Sequence, residues 1–165
     1  MKSNYNKNYE RLELIDEMEK EFNNKNFWFF SKLSFHHDPV IRTRAICIIA
    51  DLGGEQAIET ISKALKEDVD ELVRHEAAFS LGQLGFTSAI KPLSEAVAKD
   101  PSIFVRHEAA VALGVIGSED ARTPLLSALN DPSEEVKKSA NVALANLDYI
   151  LTSKKINKFT RMTGG

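Results

Sequence analysis

The sequence has a single cysteine, Cys47, no large excess of charge of either sign, and no apolar run approaching a membrane span. Each shortage excludes something. A lone thiol can form neither an internal disulfide nor a cysteine-based zinc or iron–sulfur site, and it suits a reducing intracellular compartment. With 21 basic and 24 acidic residues and a formal charge of −3, the chain lacks the basic field of nucleic-acid binders, so no nucleic acid is expected as a partner. The polar start, MKSNYNKNYERLEL, does not read as a signal peptide, and with no membrane segment the expected location is cytoplasmic. Also missing are a Ser-His-Asp order, a glycine-rich phosphate loop and zinc-finger spacing. What remains is 165 residues, 43% hydrophobic, enough to bury the core of one domain.

The chain repeats itself. IRTRAICIIADLG, VRHEAAFSLGQLG, VRHEAAVALGVIG and VKKSANVALANLD align without gaps from Ile41, Val73, Val105 and Val136, at spacings of 32, 32 and 31 residues. Each repeat holds two helix-like stretches and nothing reads as a strand. The fold class predicted is therefore all-α: an α-solenoid of about four helical hairpins, each burying its apolar face against its neighbours. Counting from the first residue of a repeat, offsets 0, 4, 8 and 11 are apolar, as in Val73, Ala77, Leu81 and Leu84, or Val105, Ala109, Leu113 and Ile116. They form a stripe about 100° wide on a helix. Gly85 and Gly117 fall where a left-handed cap ends the helix. The small residues Ala77, Ala78, Gly82, Ala109, Ala110 and Gly114 permit close helix approach. Asp100-Pro101 and Asp131-Pro132 close their hairpins, with aspartate capping or turning the chain and proline suited to opening the next helix.

Three regions are expected: capping helices over 1–38, repeats over 39–150, and a frayed basic tail over 151–165. In the first, the charged helix YERLELIDEMEKEF precedes FWFFSKL, whose aromatics, Trp28 among them, read as buried core. The tail carries Lys154, Lys155, Lys158 and Arg161, suited to touching an acidic partner. His36-His37 reads as a solvated loop before Asp38-Pro39. Cys47 aligns with Phe79, Val111 and Val142 and reads as buried filler.

The middle two repeats alone carry a His-Glu pair, His75-Glu76 and His107-Glu108. At offset 2 the histidine lies at about 200° around the helix, against a stripe centred near about 25°, so it does not belong to the packing face. Both side chains sit in the first helical turn, which favours a neutral imidazole and an ionised carboxylate, the states that bind metal. Parallel neighbouring helices lie roughly 8–10 Å apart, so matched histidines could reach toward a shared point, joined by a glutamate. Two imidazoles and a carboxylate with open positions suit non-haem Fe(II), with manganese second, and the shortage of cysteine argues against structural zinc. The alternative is a solvated surface pair copied by duplication. The second helices of these repeats have diverged, and repeats one and four carry Thr43-Arg44 and Lys138-Ser139 instead, a distribution that favours a local site.

RHEAAFSLGQLG and VRHEAAVALGVIG resemble the paired motifs of the deoxyhypusine hydroxylase family, HEAT-repeat iron monooxygenases built from two halves of four repeats, each with His-Glu in its middle two. The resemblance covers one such half, from Pro39 to Leu147. It implies a dinuclear Fe(II) centre that activates oxygen to hydroxylate a deoxyhypusine side chain on a translation factor. His75, His107 and Glu108 would be metal ligands, and Glu76 a ligand or a base anchoring water or the substrate amine. The chain has two His-Glu pairs where the family has four. The resemblance therefore implies a second contributor, a homodimer partner or another half-length chain. Two other readings stay open: a HEAT-repeat scaffold that binds protein, and an accessory protein similar to phycobilin lyases.

Overall fold

A computed structural model describes residues 2–163 of the chain. Among them there is no strand. Two helices, α1 (Lys2–Asn23) and α2 (Phe27–Leu33), precede three hairpins: α3 (Pro39–Gly53) with α4 (Ala57–Glu67), α5 (Glu71–Leu84) with α6 (Ile90–Lys99), and α7 (Ile103–Ile116) with α8 (Arg122–Ala128). A single long helix, α9 (Glu134–Thr163), closes the stack. The first helices α3, α5, α7 and α9 pack each on the next, and α4, α6 and α8 form a second row behind them. This is the two-layer solenoid that the repeats predict.

The predicted stripe is the core. Ile41, Ala45 and Ile49, Val73, Ala77 and Leu81, Val105, Ala109 and Leu113, then Val136, Ala140 and Leu147 are all buried. Each of the larger ones stabilises the fold by roughly 1.5–3 kcal/mol. Ile61, Leu93 and Leu125 meet them from the second row. Gly85 and Gly117 adopt φ of 70° and 62°, the left-handed turn expected of them. In the fourth repeat the equivalent residue is Asp148, and without that glycine the helix does not turn back. The boundary drawn at residue 150 therefore falls inside α9. Leu151 packs against the core and Lys154 Nζ donates to the Gly117 carbonyl at 3.2 Å, so these two residues are docked rather than frayed. Gly164 and Gly165 lie outside the described residues.

The hairpin-closing aspartates do more than turn the chain. Arg42, Arg74 and Arg106 each make a two-pronged ion pair with the aspartate ending their own repeat, Asp68, Asp100 and Asp131, at 2.7, 2.8 and 2.8 Å. The second oxygen of each aspartate accepts from the backbone N–H of Asp70, Ser102 or Ser133. Each guanidinium also donates to carbonyls of the preceding link: His36 and His37, Asp68, or Asp100 and Pro101. Consecutive repeats are thus stitched by charge-assisted bonds as well as by apolar packing. Pro39 opens α3 under an Asp38 cap, whereas Pro101 and Pro132 lie in the links, two residues before α7 and α9 begin.

Two expectations about burial fail. In α2, Phe30 is fully buried and Phe27 and Phe29 pack against the core, but Trp28 is 73% exposed. A seven-residue helix buries one face, and Trp28 stands about 200° from Phe30 around it. Cys47 is exposed as well. Its offset of 6 lies at about 240°, on the histidine side of the helix and away from the apolar stripe. The aligned Phe79 and Val142 are exposed for the same reason.

Candidate functional site

The first helices approach closely where their residues are smallest. A Cβ on Gly82 would lie 2.9 Å from the Ala112 Cα, and one on Gly114 would lie 2.8 Å from the Ala143 Cα. These contacts lie toward the C-terminal ends of α5 and α7; α5, α7 and α9 pack side by side, and their first turns carry offsets 2 and 3.

There the side chains pair across repeats. His75 Nε2 lies 3.5 Å from Glu108 Oε2, with the histidine side chain 37% exposed and the glutamate 12%. His107 Nδ1 lies 2.7 Å from Ser139 Oγ. The pattern is one rule applied twice: the offset-2 residue of one repeat meets the offset-3 residue of the next. Thr43, at offset 2 of the first repeat, turns back on its own helix and donates to the Pro39 carbonyl at 2.9 Å.

Glu76 is half-buried beside this row and accepts from Ser80 Oγ at 3.3 Å. Burial pushes its carboxyl above the ordinary range, and the charge of Glu108 adds to that, against the hydrogen bond from Ser80 and the attraction of His75. Burial and the Glu108 charge thus act against the ionised state that the helix N-terminus favours. His75, Glu76 and Glu108 form one electrostatic neighbourhood, with His107 directed to Ser139 at its side. Among the described residues no group of three or more His, Cys, Asp and Glu side chains is gathered closely enough to hold a metal ion. Each histidine is engaged by its neighbour on the next repeat, His75 by Glu108 and His107 by Ser139.

Exposed apolar side chains surround the row: Leu72 and Phe104 one turn below the histidines' level, and Phe79, Val115 and Val142 above it. Cys47 belongs to the same face, its thiol held up by partial burial and then by the Glu76 charge. The His36-His37 pair stays apart in the loop before α3, the two rings 4.2 Å from each other, with His36 Nδ1 accepting from the Asp38 N–H. Sequence reasoning missed Ser80 and Ser139. Ser139 was detectable only as the residue occupying the glutamate's place in repeat four.

A stack of helical hairpins joined in this way defines a class. HEAT repeats match residues 58–145 and a PBS lyase HEAT-like repeat matches residues 41–67; the chain belongs to the HEAT-repeat family. Among solved structures, human deoxyhypusine hydroxylase in complex with glycerol is similar, with a TM-score of 0.70 and 30% identity, over 76% of this chain and 44% of that one. The match thus covers less than half the length of that protein. No curated protein matches the chain. Among the described residues no helix is long and apolar enough to cross a membrane.

Proposed function

We propose that the chain is half of a deoxyhypusine-hydroxylase-like, iron-dependent monooxygenase, acting on a deoxyhypusine side chain of a translation factor, with a second copy completing its two-iron site. The observation that carries this reading is the contact between His75 and Glu108 across adjacent repeats, with the Glu76 carboxyl in the same electrostatic neighbourhood. Imidazole nitrogen and carboxylate oxygen are donors that iron accepts. The fit is to half a site, since one chain groups fewer than three such side chains among its described residues. His75, His107 and Glu108 would be ligands, and a two-fold axis would supply the same set again, completing groups that one chain does not assemble by itself. Bound there, iron would supply the activation of oxygen.

The chain's own residues have separate tasks. Glu108, largely buried and beside His75, supplies a negative charge that orients the imidazole. Glu76 is suited to the substrate: ionised, it attracts the amine of an aminobutyl side chain; protonated, as burial favours, it can hold a proton for the reaction. Leu72 and Phe104 form an apolar rim that a second copy would cover, excluding water from the polar row between. A metal-free protein-binding scaffold is the second reading, favoured by the lack of a three-donor group among the described residues.

Anaerobic Fe(II) loading followed by native mass spectrometry separates the two. The proposal expects a dimer carrying two irons; a protein that takes up no Fe(II) supports the scaffold. Substrate is tested by incubating the assembled protein with reductant and a deoxyhypusine-bearing translation factor, then measuring the factor's mass for one added oxygen atom.

A further inference from the structure

The hydrogen bonds around Ser139 determine which nitrogen of His107 carries its proton. Ser139 Oγ lies 2.9 Å from the carbonyl oxygen of Glu135, one turn earlier in α9, and 2.7 Å from His107 Nδ1 in α7. A hydroxyl has one hydrogen to donate, and a carbonyl can only accept. If that hydrogen pointed to Nδ1, two oxygens would stand at hydrogen-bonding distance with nothing between them. If it points to the carbonyl, the remaining short contact is a hydrogen bond only when Nδ1–H donates to Oγ. The second arrangement alone makes both contacts attractive. Ser139 is 8% exposed, so water is a poor substitute for either partner.

We infer that Ser139 is a positioning residue that holds neutral His107 as its Nδ1–H tautomer and leaves the lone pair on Nε2. The row is then asymmetric by design of its fourth repeat. His75 turns Nε2 toward a carboxylate, whereas His107 turns Nδ1 toward a hydroxyl standing where a third His-Glu pair would have put a glutamate. Histidine ligands of metals commonly have their other ring nitrogen fixed in this way. The consequence for metal binding rests on the proposed function; the tautomer does not.

The test begins with metal-free full-length protein labelled with nitrogen-15, at about pH 8, where an ordinary imidazole is neutral. Long-range proton–nitrogen correlation spectra should give His107 a protonated Nδ1 and an unprotonated Nε2. Ser139→Ala should shift it toward Nε2–H, while Ser139→Thr, which keeps a hydroxyl, should retain Nδ1–H. A wild-type His107 protonated on Nε2 overturns the inference, and so does a tautomer unchanged in Ser139→Ala. Titration with Co(II) as the probe then reads the consequence: binding weaker by about 10-fold or more in Ser139→Ala and largely restored in Ser139→Thr. If the spectra behave as expected and wild-type protein binds no Co(II), the tautomer assignment is supported and the metal reading of the proposed function is lost.

Discussion

His75 meets a carboxylate and His107 a hydroxyl because offset 3 is Glu108 in the third repeat and Ser139 in the fourth. Both histidines stand off the packing stripe, so each can change without opening the core. His107→Ala should cost about 1 kcal/mol, the value of one hydrogen bond, and lower the melting temperature by only a few degrees while abolishing metal uptake. Calorimetry and metal analysis of the same sample check both parts. Glu76 behaves differently because its carboxyl is pushed above its ordinary 4.5 chiefly by burial. Its contribution to stability is therefore fully present below the unfolded value and lost as pH rises through the raised folded value. Glu76→Gln should remove this loss, so the variant's stability relative to wild type rises across that window. Denaturant titrations on either side of it measure the difference. Cys47 shows how one angle misleads when ignored: its offset was plain in the sequence, and placing it at about 240° would have put it on the exposed histidine face.

At the scale of helices, small residues set the spacing that lets the polar row pair. Gly114→Ala would place a Cβ 2.8 Å from backbone of α9, which cannot swing aside as a side-chain tip can. A loss of about 1–3 kcal/mol is expected, together with weakening of the His107–Ser139 bond as α7 and α9 separate. The arginine–aspartate links should be costlier to break. Asp131, its side chain 7% exposed, is subject to burial that raises its carboxyl, yet the Arg106 hydrogen bond and the Ser133 amide bring it below its ordinary range. That stabilisation is present above the unfolded value and lost as pH falls through the folded one. Asp131→Ala should cost about 3–5 kcal/mol at neutral pH by stranding Arg106, with a smaller difference in acid. Chemical denaturation at both pH values checks it. The hairpins, the buried stripe and the left-handed glycines were legible because they are local and periodic. The arginine–aspartate links were not read, although Arg42, Arg74 and Arg106 recur at offset 1, because each partner lies at the far end of its hairpin.

For the molecule as a whole, the expectation is assembly. The proposed dimer of two 18.4 kDa chains would bury Leu72 and Phe104, now 66% and 61% exposed. Phe104→Glu should therefore shift the population to monomer in analytical ultracentrifugation while leaving the melting temperature of the monomer nearly unchanged. A Phe104→Glu protein that stays dimeric would place the dimer contact elsewhere.

The run of residues was enough to dictate a helical solenoid, since the period of its apolar positions and the recurrence of its motifs depend on nothing distant. It also assigned each histidine and glutamate an angle around its own helix. It did not contain the stagger of one helix along the next, which comes from how side chains of successive repeats interlock around Gly82 and Gly114. That stagger sets offset 2 against offset 3 of the following repeat. It is why His75 faces Glu108 and His107 faces Ser139.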